Sequence, residues 1–161
     1  MENPTVAKPI PTLYEWAGGF PVFERMMATF YDKVLRDDVL EPVFRHMSME
    51  HRLHVAHFIA EVFGGPTQYS NGEGSHFEMI RHHLGKHLTE KHRQRWVALL
   101  TETADEIGLP GDPEFRSAFV SYIEWGTRIA VLNSNAESVP VKPDEPMPKW
   151  GWGEVGGPYL G

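Results

Sequence analysis

The stretch Gly18-Gly19-Phe-Pro-Val-Phe-Glu-Arg-Met-Met-Ala-Thr-Phe-Tyr-Asp-Lys-Val-Leu35 decides the fold. Phe20, Phe23, Met26, Met27, Phe30, Tyr31, Val34 and Leu35 recur at intervals of three and four. That spacing gathers side chains on one face of an α-helix, whereas a strand would alternate them. The stripe is wide, which predicts a helix buried along one side. The double glycine before it reads as a turn, and Thr12 with Glu15 makes a capping-box start for a short helix ending there.

The same periodicity continues outward. Ser48 caps a helix that carries His51, Val55, Phe58, Ile59, Val62 and Phe63 on one side, with His51 as its one polar inward position, until Gly64-Gly65-Pro66 stops it. Residues 67–74 read as a loop. Ser75 and Glu78 then open a short helix closed by Gly85, and Thr89 starts a long one with Trp96, Leu99, Leu100, Thr103 and Ile107 inward. Asp112-Pro113 caps a last helix that turns Phe115, Phe119, Tyr122, Gly126 and Ile129 inward. No run of alternating β-branched residues stands out, so the reading is all-α: a core over 12–133, an N-terminal extension over 1–11 and a Pro/Gly-rich tail over 134–161. The tail, with Trp150 and Trp152, is expected to be a disordered extension.

Composition narrows the function. The 161 residues suffice for one domain. Fifteen Lys and Arg against 22 Asp and Glu give a net charge of -7, which disfavours nucleic acid or anionic lipid as a partner. No apolar run approaches the roughly 18–20 residues of a membrane span, and Met1 to Pro11 reads as no export leader, so a cytoplasmic location is expected. There is no cysteine, hence no thiolate metal site and no cysteine nucleophile, while histidine is abundant at nine. Neither an HExxH metalloprotease motif nor a GxSxG nucleophile elbow occurs.

The chemistry therefore rests on inward polar residues. On the short helix His83 follows Met79 by four and Ile80 by three, which assigns it to the apolar face, whereas His82 follows Glu78 by four and leans to solvent. A zinc site would need three or four such ligands. A planar cofactor that brings four nitrogens of its own needs one. Tyr31 and His51 supply polar heads from two other helices, and Trp96 supplies an indole N–H from a third.

The ordered set Gly18-Gly19, Phe30-Tyr31, Phe44, Gly64-Gly65-Pro66, Tyr69-Ser70, His83 and Trp96 resembles the truncated haemoglobins, and within them the second group. The resemblance covers roughly residues 12–133 and implies a two-over-two globin fold around haem (iron protoporphyrin IX). It implies His83 as the proximal iron ligand, with His82 the alternative one register away. Tyr31, His51 and Trp96 take the ligand-facing positions, and Phe44, Val55, Phe58 and Met79 the apolar haem contacts. Tyr69 matches a position at a haem propionate. His51 stands where many second-group members have a smaller residue, and Phe44 where tyrosine is also common. His54 and His57 are expected at the solvent or propionate edge.

The function so implied is reversible binding of dioxygen and other diatomic gases, CO and NO among them, at five-coordinate iron. Redox turnover, peroxidase-like or nitric-oxide-oxidising, with an unidentified reductase stays open beside it, as does a monomer or a homodimer. Two other classes compete: a non-haem iron helical bundle, which would use paired Glu-x-x-His motifs that are lacking here, and a purely structural interaction domain.

Overall fold

Thr12 opens the first helix, α1 (Leu13–Ala17): its hydroxyl accepts the Glu15 N–H at 3.1 Å and satisfies one of the orphan donors at the helix start. In the computed structural model, which describes residues 9–155 and 157–158, Gly18 ends this helix at φ +117°, a conformation that strains any side chain. Pro21 then sits in the first turn of α2 (Phe20–Val34), where its missing N–H costs nothing. The apolar stripe of α2 is buried from Phe23 to Val34. Leu35 departs from the expectation: it caps the helix and is exposed, because the chain has already turned away from the core.

After α2 the Asp37 carboxylate accepts the N–H groups of Val39 and Leu40, each at 3.1 Å, and pairs with Arg95 at 2.5 Å. This fixes the corner that leads into α3 (Glu41–Phe44). Ser48 caps α4 (Met49–Val62) through the His51 N–H. A Cβ on Gly64 would lie 2.8 Å from Thr12, so only glycine lets the end of α4 press against α1, where the Tyr14 N–H donates to the Phe63 carbonyl at 2.9 Å. Residues 67–74 are more ordered than a plain loop, since Tyr69–Glu73 form a wide π-helical turn. The helices α5 (His76–His83), α6 (Glu90–Glu106) and α7 (Pro113–Ser134) complete the core. Among the described residues there is no strand, and no helix is long and apolar enough to cross a membrane.

The helices pack as two pairs, α2 on α4 and α6 on α7, with α2 also against α6, which is the two-over-two arrangement expected. Phe63 joins the pairs: its ring meets Phe23 of α2 at 5.8 Å and Phe119 and Tyr122 of α7 at 6.1 and 5.2 Å, all edge-on. The far end of α7 holds the segment after α5. Ser134 accepts the Leu88 N–H at 2.9 Å, and the Asn135 amide donates to the Leu88 carbonyl at 3.1 Å.

The tail corrects the expectation of disorder. Trp150 donates its backbone N–H to the Val62 carbonyl at 2.8 Å, and the Trp152 indole donates to the Pro11 carbonyl at 2.7 Å while its ring packs edge-on to Trp16 and Phe115. Aromatic burial offsets the entropy of ordering this Pro/Gly-rich chain. Residues 1–8, 156 and 159–161 of the two extensions lie outside the described residues.

Replacing Trp152 removes a hydrogen bond and a half-buried indole at once. Trp152→Ala is expected to cost about 2 kcal/mol of stability, an effect that thermal melting would register as a drop of about 4–8 °C.

Candidate functional site

Between α3, α4, the π-helical turn and α5 to α7 lies a cavity of about 420 Å³, within the range of small-molecule and cofactor pockets. All nine residues singled out from the sequence line it: His83, Phe44, Val55, Phe58, Tyr69, Met79, Tyr31, His51 and Trp96.

Ser75 starts α5 by accepting the Glu78 N–H at 3.1 Å, and the eight-residue helix carries His83 in its last turn. The His83 Nδ1–H donates to the Met79 carbonyl at 2.7 Å, which fixes the tautomer and leaves Nε2 with its lone pair. Burial pushes the His83 pKa down, against the raising effect of that hydrogen bond, and Lys86 and His82 push it further down. The ring is therefore neutral at pH 7, the form that ligates a metal. His82 reaches the rim of the same cavity but is exposed. The register thus places the anchored imidazole at 83.

Facing elements bring three polar groups to the cavity. Tyr31, buried in α2, meets the His51 ring edge-on at 5.7 Å and Phe44 at 5.8 Å. Phe30 stands between Tyr31 and Trp96, with ring centroids 5.0 Å from each. Burial raises the Tyr31 pKa well above the ordinary phenol value, so its hydroxyl stays a donor. Burial also lowers His51 to about 4, helped by His54, His82, His83 and Lys86, so this ring too is neutral.

The apolar wall is held by contacts the sequence reading missed. Tyr69 packs edge-on to Phe58 at 5.2 Å, and burial with nearby Glu78, Glu73 and Glu61 pushes its pKa up to about 12. Two clamps hold the turn that carries it: Glu61 accepts the Ser70 N–H at 3.0 Å, and His57 Nδ1 contacts Glu73 at 2.7 Å. His57, expected at the solvent edge, is instead buried and stacked on Phe20 at 4.7 Å; Glu61 is buried as well. His51 is thus not the one polar inward residue of α4. Their spacing by four puts both on one face, but the spacing carries no signal that this face is buried.

An anchored neutral imidazole facing an apolar cavity, with hydrogen donors on other walls, suits a planar cofactor that needs one protein ligand. Among the described residues no group of three or more histidine, aspartate or glutamate side chains converges as a metal site. Shell and site together define a globin.

The chain belongs to the bacterial-like globin family, whose family model matches residues 12–124, and membership implies haem as the prosthetic group. The Group 2 truncated hemoglobin YjbI of Bacillus subtilis is 26% identical over 119 residues, which cover 74% of this chain and 88% of that protein. The Group 1 truncated hemoglobin GlbN of Nostoc commune is 33% identical over 89 residues, covering 48% of this chain and 75% of its own. The crystal structure of the Group II truncated hemoglobin from Bacillus anthracis superposes with a TM-score of 0.71 at 25% identity, over 83% of this chain and 100% of that one. The resemblance to the second group therefore holds in sequence and in structure.

The low His51 pKa has a stability consequence. The unfolded chain takes up the proton near pH 6.5 and the folded chain only near 4, so the contribution is full above 6.5 and is lost as pH falls towards 4. His51→Gln is expected to flatten the decline of the urea midpoint over that window.

Proposed function

We propose that this globin reversibly binds dioxygen, and CO and NO as well, with His83 as the iron ligand. The observation that carries the reading is the His83 bond to Met79, which presents a neutral ring nitrogen to the same cavity that Tyr31, His51 and Trp96 line. Phe44, Val55, Phe58 and Met79 would hold the apolar body of haem, and Tyr69 a propionate. Haem, when bound, supplies five-coordinate iron with one position open to a diatomic gas.

Tyr31 and Trp96 act as donors set in place before the gas arrives. Such donors favour a ligand that acquires negative charge, and they act more strongly in an apolar pocket than in water. His51, neutral across the physiological range, offers a third polar contact without placing a cation in the cavity. Each hydrogen bond is worth about 1 kcal/mol net. A second reading, redox turnover of peroxide or nitric oxide with an external reductant, is supported by the same donors, which would polarise either substrate.

Absorbance spectra of the oxidised, reduced and CO-treated protein test the reading, because a Soret band requires porphyrin; its absence after haem reconstitution would sink it. His83→Ala is expected to lose the five-coordinate ferrous spectrum and to regain it with added imidazole. Trp96→Phe is expected to keep haem and to raise the dioxygen dissociation rate roughly fivefold, the equivalent of one net hydrogen bond, in stopped-flow measurements.

A further inference from the structure

One aromatic cluster lies apart from the residues assigned to gas binding. On α7, Ser121, Trp125, Arg128 and Leu132 follow one another at intervals of four, three and four, and all are exposed, so they form the outer stripe of the helix. Trp125 differs from the other three in also lining the cavity, although it is 38% exposed. It stands on the rim, with one side towards the cavity and the other towards solvent. The docked tail lays Trp150 on it, ring centroids 5.6 Å apart and tilted by 36°. Tyr122 closes the triangle, 6.2 Å from Trp125 and 5.6 Å from Trp150, and it lines the cavity too.

We propose that Trp125, paired with Trp150, is a surface oxidation site at which phenolic electron donors too large for the cavity are oxidised at the expense of hydrogen peroxide reduced inside it. The proposal rests on the haem reading and extends its redox branch. Rim position and ring contact give electrons a continuous aromatic path from solvent to the cavity wall.

One electron leaves the tryptophan pair towards the cavity, a phenol at the surface replaces it, and the phenol's proton passes to water. Two such events, with two protons taken up in the cavity, convert one hydrogen peroxide and two phenols into two waters and two phenoxyl radicals. Indole suits the exposed end because it can lose an electron before it loses its proton. Tyr122 is less suited: burial holds its pKa above the ordinary phenol value, so its hydroxyl keeps the proton that oxidation would have to release. Its part is to pack the two indoles against the wall.

The test uses the haem-loaded full chain treated with hydrogen peroxide. Freeze-quench electron paramagnetic resonance is expected to show a tryptophan radical, and peptide mass mapping to place oxygen adducts on Trp125 and Trp150. A phenol coupled to dextran, unable to enter the cavity, should suppress both and be oxidised. Trp125→Phe, which keeps an aromatic ring in the cluster, is expected to lose the radical and to slow oxidation of the dextran-phenol about tenfold. Leu132→Ala, on the same outer stripe but absent from the cavity wall, should change neither. A Soret band with an unchanged radical and unchanged dextran-phenol oxidation in Trp125→Phe would overturn this proposal alone. So would adducts confined to other residues. Failure to form a Soret band would overturn the haem reading and this proposal with it.

Discussion

The bond from the His83 ring to the Met79 carbonyl constrains everything around it. A free imidazole shares its proton between two nitrogens and turns about two torsions; this one has its proton assigned and its ring direction set by its own helix. The remaining nitrogen has no hydrogen-bond partner among the described residues, and His83 lines the cavity. Burial keeps it neutral. The short α5 needs outside support to hold that geometry, because a helix of eight residues is marginal alone. The end of α7, through Ser134 and Asn135, holds the segment that follows it.

The opposite wall is built on a different logic. Tyr31, Phe30 and Trp96 form an edge-to-face series in which each ring fixes the next, so the polar tips are positioned by apolar packing rather than by hydrogen bonds to one another. Below them the π-helical turn is clamped by two acidic residues, Glu61 and Glu73, one of which binds a backbone donor and the other a buried histidine. These two carboxylates contact no predicted gas-facing group through a hydrogen bond, yet the position of Tyr69 depends on them. Of the two, Glu73 also lines the cavity, where its carboxylate is turned to the His57 ring.

Periodicity made the long helices legible, because a stripe of Phe and Met at three-and-four spacing admits one buried face. That His83 turns inward and His82 outward was legible for the same reason. The π-helical turn was not, since eight polar and glycine-containing residues carry no period. His57 was misplaced because Glu50, His54, His57 and Glu61 repeat at intervals of four, three and four, the pattern of a solvated face; only the arrival of Phe20 and the turn buries half of it. The tail was misread because proline and glycine report the absence of regular structure, not the absence of packing. Its two indoles supply that packing.

The Trp152 bond to Pro11 spans 141 positions of chain, far beyond the reach of any helical contact. Loop closure of that length is entropically demanding and gains nothing until the surfaces it joins exist, so the strap is assembled late, on a shell already formed. The two hydrogen bonds and the ring contacts of Trp150 and Trp152 repay that cost once the shell exists. The seam beside α7, where Pro148 and Trp150 lie, is thus closed by residues from opposite ends of the chain, and the cavity wall is finished only when the tail is in place.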